Sequence, residues 1–100
     1  MEKYVLFVNN STDFLMFPLK AFIGAKYLSA TTMDLYFEKA PLSYKITLTI
    51  DSGSGAIVTL KTAELFSRFK GPVIIFDDVK GFWPIEEVSG ISSFTKVIIK

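Results

Sequence analysis

The sequence predicts a mainly β fold of the α+β class, with six or seven short strands and one helix near residues 61–70, and three observations carry that prediction. Apolar and polar residues alternate over two stretches, 33–38 and 44–50, as half-buried strands require. Shorter runs of strand-forming apolar residues are separated by Asn, Asp, Gly and Pro. After residue 55 the apolar spacing widens to that of a helix. One hundred residues with no linker, repeat or low-complexity tract make a single domain, 1–100. Strands of this kind, pairing mostly with their chain neighbours, suit a small, strongly bent antiparallel barrel or a curled sheet with the helix packed on it.

Tyr4 to Val8 is a continuous apolar run, and Asn9 to Asp13 reads as a turn. Phe14 to Phe17 is the second strand, ended by Pro18, which cannot donate to a central ladder. Phe22 to Leu28 is the third, with Gly24 as a bulge or a point of close approach. Met33, Leu35 and Phe37 alternate with Asp34, Tyr36 and Glu38 in the fourth. Pro41 marks a turn. Tyr44, Ile46, Leu48 and Ile50 then alternate with Lys45, Thr47 and Thr49, giving one apolar face and one wet face. Asp51 to Gly55 is a flexible turn, and 56–60 fits helix or strand equally. Val58, Leu65, Phe66 and Phe69 share a helical stripe, and Gly71-Pro72 reads as a left-handed cap followed by a stop. Val73 to Phe76 and Val97 to Ile99 are short all-apolar strands, joined by a connection that carries Phe82-Trp83-Pro84.

Half the residues are hydrophobic and the mean hydropathy is +0.40, which excludes a disordered chain. No apolar run approaches the roughly 18 residues of a membrane-spanning helix. The first residues lack the pattern of a signal peptide, and with no cysteine in the chain an intracellular, cytoplasmic protein is expected. No cofactor is expected. The absence of histidine and cysteine removes the imidazole base, the thiolate nucleophile and the commonest transition-metal ligands. Asp77-Asp78 and Glu86-Glu87 have the oxygen chemistry for a hard cation, but neighbouring carboxylates more often sit in water. Ser52 to Gly55 lacks the Lys-Ser/Thr pair of a nucleotide loop. These observations point away from an enzyme. Net charge is +1, and the eleven basic residues form no stripe of the kind that backbone-driven nucleic-acid binding uses.

Two short patterns nevertheless match a nucleic-acid-binding family. Gly24 is followed nine residues later by Met33, then Asp34, Leu35 and Phe37. Phe69-Lys70-Gly71-Pro72-Val73-Ile74 follows in the second half. The first resembles the glycine, methionine-asparagine and alternating apolar residues of the first motif of the Sm-like RNA-associated proteins. The second resembles their apolar-Arg/Lys-Gly-x-x-Ile/Val motif. Together the matches span about a fifth of the chain. The resemblance implies a small bent barrel, ring assembly through edge strands, and single-stranded RNA bound at the loops. It implies RNA contacts by Thr32, Asp34, Lys70 and Gly71, with Tyr27 or Tyr36 stacking on a base. The chain departs from the family at the contact positions, with Ala30 for an aspartate, Thr32 for a stacking residue, Asp34 for the asparagine and Lys70 for arginine. Lysine lacks the planar fork of arginine, and Asp34 brings negative charge, so the implied binding is weak.

The stretches 29–38 and 46–53 also resemble short uncharacterised proteins of marine bacteriophages, which implies a small structural or protein-interaction accessory role with no nucleic acid. Self-association is expected on either reading. The strands at 73–76 and 97–99 carry no alternating polar residues, so both of their faces need cover, and an open edge of that kind invites pairing with another chain. Val73, Ile75, Trp83 and Ile98 are the candidate interface residues of a homo-oligomer. For Trp83 a plug over one end of the barrel is an equal alternative.

Overall fold

The computed structural model describes residues 3–39 and 42–98, and these form seven strands, a short 3-10 turn and one α-helix. Strand β1 (Tyr4–Asn10) and strand β2 (Asp13–Pro18) make an antiparallel hairpin. Its turn is held by Asn10, whose Oδ1 accepts the Thr12 amide and the Thr12 hydroxyl, both at 3.0 Å. The 3-10 turn Leu19–Ala21 carries the chain across to a second sheet. There β3 (Phe22–Ser29), β4 (Thr32–Lys39) and β5 (Leu42–Ile50) run as an antiparallel meander. Helix α1 (Gly55–Arg68) leads to β6 (Val73–Asp77), which returns to the first sheet and lies parallel to β1. Strand β7 (Val88–Ile98) closes the order by pairing antiparallel with β5. The sheets read β2-β1-β6 and β3-β4-β5-β7.

The two sheets face each other across one core. Val5, Phe7, Phe17, Ile74 and Phe76 come from the three-stranded sheet; Met33, Leu35, Phe37, Ile46 and Leu48 come from the four-stranded sheet. Phenylalanine rings knit the layers together. Phe17 stacks on Phe37 with centroids 4.6 Å apart, and Phe7 meets Phe37 edge-on at 5.6 Å. Val58 and Thr62 point from α1 into this core, and Phe66 meets Phe22 edge-on at 5.0 Å. Gly55 begins the helix where the Tyr27 ring crosses it: a Cβ there would lie 2.2 Å from Tyr27 Cδ1.

Several expectations need correction. The helix starts six residues earlier than its expected start near residue 61, so 56–60 is helical, and it stops at Arg68. Phe69 leaves it in an extended conformation, and Gly71 is not left-handed; among the described residues only Gly24, Gly53 and Gly81 have positive φ. The Lys3 ammonium donates to the Phe69 carbonyl, placing a cation where the helix dipole favours one. Gly24 is at a bulge, as expected, with φ +155°. Strand β7 is far longer than 97–99, and β6 pairs parallel with a strand distant in sequence. No hydrogen-bonded circuit among the described residues closes the two sheets into a barrel. The expected turn at Pro41 lies outside the described residues.

Candidate functional site

Side chains alternate across a strand, so each strand of the β2-β1-β6 sheet presents one set to the core and one to the outside. The outer set is apolar almost throughout. Met16, Leu6 and Ile75 stand in register across the three strands, and Pro18, Tyr4 and Val73 form the row beside them. Phe14, Val8 and Asp77 make a third row, which Phe82 extends through its bridge with Asp77. Phe14 is 58% exposed, Met16 57%, Phe82 57% and Ile75 36%, while Leu6 and Val8 on the central strand are half-buried. The one carboxylate in these rows is engaged: Asp77 Oδ1 accepts the amides of Val79 (2.9 Å) and Lys80 (3.0 Å). At the hairpin tip, Asn9 Nδ2 donates to Asp13 Oδ2 at 3.1 Å.

The four-stranded sheet behaves differently. Its outer rows are Lys26, Asp34, Thr47 and Ser93, then Tyr36, Lys45 and Thr95. This is the ordinary arrangement, one face on the core and one in water. Asp34 is nevertheless 1% exposed. Thr47 Oγ1 donates to its Oδ1 at 2.6 Å, and the Tyr36 hydroxyl makes a longer contact to Oδ2 at 3.4 Å. Burial, together with the charge of Asp34 and the hydrogen bond to it, holds the Tyr36 phenol above its ordinary pKa.

The residues expected to contact RNA fall into three groups. Thr32, Asp34 and Tyr36 share the wet face of β4. Tyr27 stands in register with Met33 on the opposite side of the sheet, with its ring over Gly55. There it walls an open cleft of about 700 Å³ with Ala56, Thr59, Leu60 and Ala63. Lys70 and Gly71 follow the far end of the 14-residue helix, about 21 Å along its axis from Gly55. The start of that helix is tied to the β3–β4 turn, where Gly53 donates to the Ala30 carbonyl at 2.9 Å. The structure therefore does not bring Lys70 and Gly71 to Thr32 and Asp34.

Of the expected interface residues, Val73 and Ile75 lie on the apolar outer face. Trp83 is partly buried and packs on the core from the β6–β7 connection. The backbone of Ile98 ends β7 opposite Leu42, and its side chain lies outside the described residues. Phe14, Met16, Leu6 and Phe82 were missed. The signal was present for three of them, because Tyr4 to Val8 and Phe14 to Phe17 lack polar alternation just as 73–76 does, and the same need for cover applies.

These features define a two-sheet α+β sandwich with one wet outer face and one apolar outer face. Comparison with protein-family models, curated proteins and solved structures finds no match to this chain. Among the described residues, no helix is long and apolar enough to cross a membrane.

Proposed function

We propose that the chain is a non-enzymatic interaction module, a small structural or accessory domain whose working surface is the outer face of the β2-β1-β6 sheet. One observation carries this reading: Phe14, Met16 and Ile75 stand exposed on a registered sheet face whose only carboxylate is engaged by backbone amides. Apolar side chains exposed contiguously on one face, rather than scattered singly, are the mark of a contact surface in a soluble protein. The polar groups best suited to chemistry support the same reading, since Asp34 and Glu87 are each occupied within the chain. A direct test replaces Phe14 and Met16 together by serine. The variant should keep the wild-type circular dichroism and lose most of the bound fluorescence of anilinonaphthalene sulfonate. Undiminished dye binding by a folded variant would count against this face.

A second reading, an Sm-like domain that binds single-stranded RNA, draws on Tyr36 standing beside Lys45 on the wet sheet. It is less well supported, because Asp34 is turned into hydrogen bonds and Lys70 lies a helix length away. On this reading RNA binding is weak and falls steeply with salt. Fluorescence anisotropy with uridine and adenosine oligomers measures it, and tight, sequence-selective binding at physiological salt would favour the RNA reading over the first.

A further inference from the structure

We infer that the cleft between β3 and α1 receives an extended peptide segment, which pairs with the open edge of β3 and alternates bulky apolar with acidic side chains. The site lies at the edge of the wet sheet and does not depend on the apolar outer face of β2-β1-β6.

The backbone sets the class of occupant. β3 is the last strand of its sheet, so its side away from β4 has no strand partner among the described residues. Bulges interrupt its pairing between Phe22 and Gly24 and between Tyr27 and Ser29, but Gly24 to Tyr27 pair regularly with Tyr36 to Met33. In an antiparallel pair, successive residues direct their N–H and C=O groups alternately towards the partner and away from it. Half of this regular stretch therefore holds both groups out to the free edge. An extended backbone satisfies them, whereas a small apolar molecule leaves them to water.

The helix sets the shape. α1 runs alongside β3: Gly55 at its start meets the Tyr27 ring, and Phe66 meets Phe22 edge-on at 5.0 Å. Val58 and Thr62 face the core, which leaves Ala56, Thr59, Leu60 and Ala63 to the cleft, beside the free edge of β3. With Tyr27 they bound about 700 Å³, within the range of ligand sites. Ala56 and Ala63 leave room for side chains from an added strand. The Thr59 hydroxyl is spent on the Gly55 carbonyl at 2.8 Å, and no charged side chain among the described residues lines the cleft.

Side-chain alternation then sets the sequence of the partner. Residues of the added strand opposite Ala25 and Tyr27 point to the helix side, into the cleft, where bulky apolar groups fit. The residue between them stands opposite Lys26 and points to the wet face. Lys26 is exposed there, and no described carboxylate forms an ion pair with it. A carboxylate directly across from it is the favoured neighbour.

Fluorescence anisotropy with a labelled peptide, Glu-Val-Glu-Phe-Glu-Val-Glu, tests the inference. The controls are the same peptide N-methylated at its Phe and the Glu before it, a version with Lys for every Glu, and the variant Ala63→Glu. Wild type should bind the parent peptide in the micromolar range. N-methylation removes the backbone donors, and Ala63→Glu fills the cleft with a carboxylate; each should weaken binding at least about tenfold, the variant with unchanged circular dichroism. The lysine peptide should bind more weakly than the parent, and Lys26→Gln should narrow that difference. Phe14→Ser combined with Met16→Ser leaves this edge intact and should bind as wild type does. No binding at millimolar peptide, or binding indifferent to N-methylation or to Ala63→Glu, would overturn the inference. A preference for the lysine peptide would overturn the acidic partner, and loss of binding in the Phe14, Met16 variant would move the site to the outer face. Sedimentation velocity on the protein alone covers the other occupant: self-association abolished by Ala63→Glu would put a second copy on this edge in place of a peptide.

Discussion

Asp34 occupies the position where the Sm-like pattern has a base-recognising asparagine, and its carboxylate is held inside the sheet by Thr47 and Tyr36. The consequence is measurable at Tyr36. Tyrosinate is disfavoured there by burial first and by the neighbouring negative charge second, so the phenol should ionise above the ordinary tyrosine range. Asp34→Asn removes the charge and should move that titration back down, as read by ultraviolet absorbance against pH; an unmoved titration would show that Asp34 does not act on Tyr36. Thr62 presents the opposite case. It is fully buried on α1, and its hydroxyl has no hydrogen-bond partner among the described residues. An unpaired buried hydroxyl is destabilising, so Thr62→Val should stabilise the fold by about 1 kcal/mol, or roughly 4–8 °C in Tm for a domain of this size. A lower Tm would mean that the hydroxyl is bonded after all.

Strand β7 explains both the reach and the failure of pattern reading at the level of elements. Its inward residues Val88, Ile91 and Phe94 are three apart, because Ser89 and Ser92 are bulged out of the pairing with β5. That spacing hides a strand from a search for period two, whereas β4 and β5 keep strict alternation and were legible. Since Ser92 is the extra residue, deleting it should leave every neighbour on its own face. The expected loss is about 1 kcal/mol, the order of its hydrogen bond with Thr49, with β circular dichroism retained; global unfolding would show that the bulge itself is required. The helix was misread at both ends for related reasons. Gly53 and Gly55 suggest a continuing turn, yet Gly55 is where the Tyr27 ring needs a bare Cα, and Gly71 marks a stop that the chain makes earlier at Phe69. The RNA-contact constellation was legible as spacing, but spacing does not reveal that a helix length separates its halves. Lys61 Nζ bonds Glu87 at 2.8 Å and so fastens α1 to the start of β7. That hydrogen bond lowers the Glu87 pKa and raises that of Lys61. The depressed glutamate contributes stability above its unfolded value near ~4.3 and loses it as pH falls through the folded value. The raised lysine contributes below its unfolded value near ~10.4 and loses it as pH rises through the folded one. Melting temperatures across pH should therefore fall less for Glu87→Gln than for wild type at both extremes, and parallel profiles would contradict the tie.

As a whole molecule, the domain is a sandwich with unequal outer faces. Nine rings or aliphatic groups that a three-stranded sheet would ordinarily trade for polar residues remain on the outside or at its rows' ends, while the four-stranded sheet is covered by Lys26, Lys45, Thr47, Thr95 and their neighbours. A layer that is apolar on both sides belongs in the middle of a stack, so a partner on the outer face of β2-β1-β6 would leave the wet sheet outermost. The proposed working surface requires that this face, and not the wet sheet, takes up apolar partners. The chain has three methionines, of which Met16 lies on the face and Met33 is wholly buried in the core, so their methyl groups report separately on the two environments. Methyl-labelled NMR on titration with anilinonaphthalene sulfonate is the most direct measurement: the Met16 resonance should shift with added dye while that of Met33 stays fixed, and a Met16 resonance that does not move at saturating dye would contradict the proposed surface.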